Sequence, residues 1–275
     1  MRSTKEIDLR IRKFQEVHKI VLSMKSIAST NVRSAQERIE SLRSYAGEIS
    51  ESISMMLSYF PHLSMPAEDG ETLVVAYGSD QGLCGIFNEK IGRFVEERFP
   101  TASFIVVGRK LEEILSVRKL SVLNAPVSYE AIYSSASALI DAIAELFLEK
   151  GTSEIFLAYN QFLGVGKYSP TLRRVFPFEI ERKGDLDIPP ILDLPPEEVL
   201  SSLIFEHLFS EIYRAYLESF LVENGVRLMN MNNASNSIER TLEDLRVERN
   251  YYRQEELTAQ MQEILSAFRV LGGEG

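Results

Sequence analysis

The chain has 275 residues, 45% of them apolar and 25% charged, with a formal net charge of −10 and one cysteine. That length and composition fit one large or two ordinary globular domains, and exclude a disordered, collagen-like or low-complexity protein. A lone Cys84 excludes an internal disulfide and a thiolate metal site, and no apolar run approaches the roughly 18 residues that span a bilayer.

The first residues, Met1 to Glu6, are charged and lack the apolar stretch of a secretory signal. Early acids at Glu6, Asp8 and Glu16 are equally unlike a transit peptide. His18, His62 and His207 lie far apart with no ligand spacing. The expectation is a cytosolic, reduced and metal-free protein. Residues 1–33 carry 8 basic against 3 acidic side chains, whereas residues 197–275 carry 7 against 14. An acidic chain with one basic end suits an acidic protein partner better than nucleic acid, which needs a sustained basic surface. The plain alternative is a solvated helix face.

All ten prolines fall between Pro61 and Pro196, and residues 1–60 hold one glycine, Gly47. The breaker-free start carries apolar or small residues at Ala28, Val32, Ala35, Ile39, Leu42, Ala46, Ile49, Ile53, Met56 and Phe60. Their spacing alternates 4 and 3, which is a heptad seam. Backwards, Met24, Val21, Val17, Phe14, Ile11 and Ile7 continue it with one slip of register. The pattern predicts a helical segment over residues 1–60, whose run from Ile7 to Phe60 is ~80 Å long at 1.5 Å per residue.

Short apolar runs at Thr72–Tyr77, Ser103–Val107 and Glu154–Tyr159 read as buried parallel strands. Helical stretches near 86–98, 109–117 and 130–149 alternate with them, predicting a small Rossmann-like α/β domain over residues 61–196. Between the first strand and its helix lies Gly78-Ser79-Asp80-Gln81-Gly82-Leu83-Cys84-Gly85. Such a position often binds phosphate. This loop lacks the Gly-Lys-Ser/Thr ending of a P-loop and the glycine spacing of a dinucleotide fingerprint, and Asp80 would repel an anion. Gly82, Leu83, Cys84 and Gly85 are therefore expected to form a structural loop, with glycines supplying unusual backbone angles and Cys84 buried. No paired histidines, nucleophile elbow or metal-ligand cluster appears, so no catalytic constellation is expected.

Prolines at Pro189, Pro190, Pro195 and Pro196 lead into a second breaker-poor run, residues 197–275. Leu217, Leu221, Asn224, Leu228, Met231, Ser235, Ile238, Leu242 and Leu245 again alternate 4 and 3. The seam turns polar around Arg249 to Glu256 and is expected to recover at Met261, Ile264, Leu265 and Phe268. Helices this long need partners for their seams. Pairing the two runs as an antiparallel coiled coil is the economical arrangement, with Ala28, Ala35, Ala46, Asn224 and Ser235 allowing close approach and fixing register. Periodicity alone leaves open a homodimer or a bundle made with other copies, and equally an α/β small-molecule enzyme with helical arms.

Several stretches, taken in order, resemble the gamma subunit of F-type ATP synthases, the central rotor shaft. Ile7, Arg10-Ile11, Lys19-Ile20 and Ser23-Met24-Lys25-Ser26-Ile27-Ala28-Ser29 are similar to that family's N-terminal helix. Ser79-Asp80-Gln81-Gly82-Leu83-Cys84-Gly85-Ile86-Phe87-Asn88 resembles its Ser-Asp-Arg-Gly-Leu-Cys-Gly-Gly-Leu-Asn loop, with Gln81 and Ile86 as departures. Tyr159-Asn160-Gln161-Phe162 resembles a strand end. Met231-Asn232-Asn233-Ala234-Ser235-Asn236 and then Asn250, Arg253-Gln254, Thr258 and Glu263-Ile264 resemble the closing signature, with Leu257 and Gln260 departing from it.

The resemblance implies a non-catalytic shaft without cofactor, turning inside alternating alpha and beta subunits and gripping an epsilon subunit and a membrane c-ring. It implies a peripheral location on the cytoplasmic face of a bacterial cell membrane, with no membrane insertion and no nucleic acid. It also implies that Met24 and Lys25 meet an acidic lever loop of the catalytic subunits, and that Arg253, Gln254 and Thr258 meet a catch loop. No cysteine pair follows the central loop, so the thiol switch of chloroplast relatives is not expected.

Overall fold

The computed structural model describes residues 4–63, 70–150, 152–177 and 190–272, with side chains throughout except at 147–150 and 268–272. Pro189 and the side chain of Phe268 thus lie outside the described residues. Helix α1 runs Thr4–Tyr59 and helix α5 Pro196–Gly272. Between them lie β1 Glu71–Tyr77, α2 Phe87–Arg98, β2 Ser103–Val107, α3 Arg109–Glu112, β3 Arg118–Leu123, α4 Ala131–Lys150, β4 Thr152–Gly164 and β5 Lys167–Phe176. Among the described residues no helix is long and apolar enough to cross a membrane. The chain divides into two compact units, Ala28–Met229 and the pair Met1–Ile27 with Asn230–Gly275, and α1 and α5 contribute to both.

The larger unit is built on a five-stranded sheet of order β3-β2-β1-β4-β5. β1 pairs in parallel with β2 and β4, and β2 with β3, while β5 returns antiparallel to β4. The apolar runs alternate sides as a pleated strand must. Val74, Ala76, Phe104, Val106 and Ala158 face Ile91 and Val95 of α2 and Leu111 beside them. Leu73, Val75, Tyr77, Ile105, Leu157 and Tyr159 face the opposite layer, formed by Val32, Ala35 and Ile39 of α1, Ile132 to Ile143 of α4, and Ile212 to Leu221 of α5. A sheet covered on both faces explains why its central strands read as continuous apolar runs. Two strands were not expected from the sequence. β3 and β5 are the edge strands and are only half-buried, so their sequences carry Arg118, Lys119, Arg173 and Arg174 and even Pro170, which an edge tolerates. The helix expected at 109–117 is also shorter, ending at Glu112.

In the smaller unit α1 and α5 pack antiparallel. Ile7, Ile11 and Val21 are buried against Met231, Ile238, Leu242 and Leu245. His18 Nε2 lies 3.0 Å from Ser235 Oγ, and Asp8 pairs with Arg249 at 3.7 Å. Two seam expectations are corrected here. Val17 is 47% exposed, and half-buried His18 takes the inward position instead. With His18 in the seam, Ile7, Ile11, Phe14, His18 and Val21 alternate 4 and 3, and half-buried Met24 packs on the same cluster, so the one slip of register falls between Val21 and Met24. A polar side chain hid where the slip lies. The second correction concerns the far end of α5, where Met261, Ile264 and Leu265 are 56–64% exposed rather than returning to the seam. Every residue from Arg253 to Ala267 is exposed.

Candidate functional site

The loop after β1 is held by its own polar groups. The backbone N–H of Ser79 donates to Asn88 Oδ1 at 3.0 Å, and Asn88 Nδ2 returns a bond to Ser79 Oγ at 2.9 Å. Ser79 Oγ donates to the carbonyl of Gln81 at 2.9 Å. Asp80 accepts from the backbone N–H of Arg109 at 2.8 Å and of Ala125 at 3.1 Å, so it caps the turns after β2 and β3. Its carboxylate therefore has a use that no phosphate would serve. A side chain at Gly78 would lie 2.3 Å from Leu111 Cβ, so glycine is required there by close approach.

Residue by residue, the loop departs from expectation in one respect. Gly85 has a positive φ of 62°, but the second such angle belongs to Leu83, at 68°, and not to Gly82. A Cβ on Gly82 would meet nothing within 4 Å, so neither backbone angle nor space calls for glycine at that position. What Gly82 offers is its carbonyl, which accepts from Arg227 Nη2 at 3.4 Å. Leu83 is 57% exposed. Cys84 is buried with Phe87, Val222 and Val226, and that burial pushes its thiol upward. A protonated, enclosed thiol is a packing group rather than a nucleophile.

Two buried charged residues on α5, Glu223 and Arg227, were missed in the sequence, and with the expected seam residue Asn224 they tie this loop to the helices. Arg227 also reaches Glu223 Oε1 at 2.5 Å and Asn224 Oδ1 at 3.4 Å. Asn224 Oδ1 in turn accepts from Asn31 Nδ2 of α1 at 3.0 Å. Burial pushes Glu223 up to about 7, against the opposing pull of Arg227. The signal was available: a Glu-x-x-x-Arg pair inside Phe220 to Leu228, where Asn224 is the one other polar side chain, has no solvated face to occupy.

The expected contact residues all belong to the smaller unit. Met24 is half-buried against the Val21–Met231 cluster, and Lys25 is half-buried beside it on the helix. Arg253, Gln254 and Thr258 are exposed, and Thr258 Oγ1 bonds back to the carbonyl of Gln254 at 2.8 Å. The antiparallel pairing sets Met24 near Met231, some twenty residues along α5 from Arg253, or about 30 Å at the helical rise. The structure thus keeps the two groups apart. Around them Lys5, Arg10, Arg12, Lys13 and Lys19 are exposed on α1, and Glu243, Asp244, Glu255, Glu256 and Glu263 on α5. Leu257, Met261, Ile264 and Leu265 form an uncovered apolar stripe at helical spacing.

The ATP synthase family profile matches residues 3–271. The chain belongs to this family. Among its relatives, the ATP synthase gamma chain of Geotalea daltonii is 29% identical, the alignment covering 99% of this chain and 100% of the relative. The gamma chain of Bdellovibrio bacteriovorus is 25% identical with the same coverage. In fold, the chain matches a component of the Euglena gracilis mitochondrial ATP synthase with a TM-score of 0.67 at 15% identity, covering 99% of this chain and 96% of that one. A component of the Tetrahymena thermophila mitochondrial central stalk and c-ring structure matches with a TM-score of 0.57 at 22% identity, covering 78% and 99%. The ATP synthase family thus spans both compact units and the loop.

Proposed function

We propose that this chain is the central rotor shaft of an F-type ATP synthase, a non-catalytic subunit that couples transmembrane ion flow to ATP synthesis and hydrolysis. The observation that supports it most is the family match from residue 3 to residue 271, which joins the long helices and the α/β sheet in one assignment. In this reading residues 1–60 and 197–275 are the shaft helices and 61–196 the foot. The partners are alpha and beta subunits around the shaft, an epsilon subunit and the c-ring at the foot. The complex sits on the cytoplasmic face of a bacterial membrane.

The physical task is a forced population shift. An asymmetric shaft contacts each catalytic subunit differently, and a ligand or contact moves an equilibrium only by its differential free energy between states. The exposed basic face of α1 suits an acidic lever. The exposed Arg253, Gln254 and Thr258, with the uncovered stripe beyond them, suit a bearing that supplies the tertiary packing this end of α5 does not find among the described residues. Affinity purification of the tagged chain from its native membrane tests the reading. Alpha and beta subunits in equal numbers, with ATPase activity, are the expected result; a partner-free homodimer would overturn it.

A further inference from the structure

We propose that Glu211 and Glu218 on α5 are torque-bearing positioning residues that fix the azimuth of this helix on the α/β sheet, so that the shaft cannot turn against its foot. The proposal rests on the rotor reading and names where, within the larger unit, rotation is transmitted.

Most of what holds α5 to the sheet is apolar: Ile212, Ala215, Tyr216, Leu217, Phe220 and Leu221 are buried in one cluster with the strands. Such contact is strong but non-directional, because it depends on area removed from water and not on angle. Resistance to rotation about the helix axis needs directional bonds. Two buried glutamates supply them. Glu211, 1% exposed, accepts one hydrogen bond from Arg173 of β5, Nη2 to Oε1 at 2.8 Å. Its Oε2 is in ion-pair contact with Arg173 Nε and with Arg214, one turn on, at 2.8 Å, without a hydrogen bond to either. Glu218, also 1% exposed, accepts the backbone N–H of Phe162 in β4 at 3.3 Å and faces Arg43 of α1 at 3.4 Å.

Glu211 and Glu218 are seven residues apart, two turns with a drift of only about 20°, so both bonds leave the same face of the helix. One reaches β5 and the other β4, neighbouring strands of the sheet, while Arg43 brings in α1. Two anchors along one face, on two strands, resist twist where a single one would act as a pivot. Stability does not explain them, since well-packed apolar residues usually do as well as a buried ion pair. Their distinct contribution is orientation, given by the charge-assisted bonds from Arg173 Nη2 to Glu211 and from the Phe162 N–H to Glu218.

The test uses the complete enzyme in sealed vesicles and compares ATP hydrolysis with ATP-driven ion uptake, followed with a pH-sensitive dye and with radioactive sodium. Glu218→Gln removes the charge that faces Arg43. Arg173→Lys keeps the charge beside Glu211 and removes the guanidinium hydrogen bond to its Oε1. Each is expected to hydrolyse ATP within about twofold of wild type while ion uptake per ATP falls about threefold or more, a split that loss of folding does not produce. Glu211→Gln with Glu218→Gln is expected to deepen the split, and if that pair fails to assemble the two single variants carry the result. Unchanged uptake per ATP in both single variants, or hydrolysis and uptake falling together in proportion, would overturn the proposal. A wild-type chain that joins no ATPase assembly would overturn the rotor reading and this proposal with it.

Discussion

His18 of α1 and Ser235 of α5 meet across the helix pair, Nε2 to Oγ at 3.0 Å, with Glu239 a further 3.3 Å contact of the same ring nitrogen. This contact occupies the seam position that hydropathy would assign to Val17, one residue earlier. The inward row of α1 therefore runs through His18, and the exposed valine is incidental to it. We expect Val17→Ser to change the melting temperature of the chain little, within about 0.5 kcal/mol, as surface substitutions do. His18→Asp sets a carboxylate against Glu239 and should cost about 2 kcal/mol or more. Urea unfolding of the full chain reads both, and the opposite ranking would put Val17 rather than His18 in the seam.

Cys84 is 2% exposed between α2 and α5, with its thiol raised by burial. A thiol reagent should label it slowly in the native protein and quickly in denaturant. Cys84→Ala leaves a small void, at a cost of about 1 kcal/mol, and should leave coupling in the assembled enzyme intact. Lost turnover in a fully assembled variant would show that the loop needs sulfur for more than packing.

Glu223 gives the fold a pH dependence whose sign can be worked out. Its native value of about 7 stands above its ordinary 4.5, so the folded state holds a proton that the unfolded chain has released between those values. Its contribution is fully present below about pH 4.5 and is lost as pH rises through 7, amounting to roughly 3 kcal/mol. Glu223→Gln should therefore gain stability relative to wild type as pH is raised from 5 to 8. Parallel stability–pH curves for the two proteins would mean that Arg227 keeps Glu223 ionised throughout.

Much of this fold was legible because its signals are periodic. The α1 and α5 seams survive as rows of 4 and 3, and β1, β2 and β4 as apolar runs, since a helix pair and a doubly covered sheet demand those patterns. The edge strands escaped notice because half-burial permits Arg173 and Pro170 where a central strand would not. His18, Glu211 and Glu218 escaped for a related reason. Hydropathy scores a polar residue as outward, and only the partner across the interface shows that it points inward. The loop was readable as a turn, but its backbone angles were not assignable from composition, because Leu83 and not Gly82 takes the left-handed conformation.

The last prediction concerns the surface through which the shaft would act. Gln254 and Thr258 are both exposed and lie one turn apart, with Thr258 Oγ1 spending its proton on the carbonyl of Gln254. Neither side chain is part of the Ile7–Leu245 seam, so alanine at both should leave the melt of the isolated chain within about 0.5 kcal/mol of wild type. A polar contact to a charged partner is worth about 1.5–3 kcal/mol when well made. Lost only in some rotational states, that energy would appear as a change in rate, because an interaction alters turnover when it differs between the states being interconverted. We therefore expect Gln254→Ala with Thr258→Ala to lower both ATP synthesis and hydrolysis in the assembled enzyme by about tenfold. Val17→Ser, also exposed but on the other helix, is the control that should leave both rates unchanged. Wild-type rates in the double variant would remove the Arg253–Thr258 face from the coupling surface and leave the uncovered Leu257–Leu265 stripe as the part of α5 that meets the bearing.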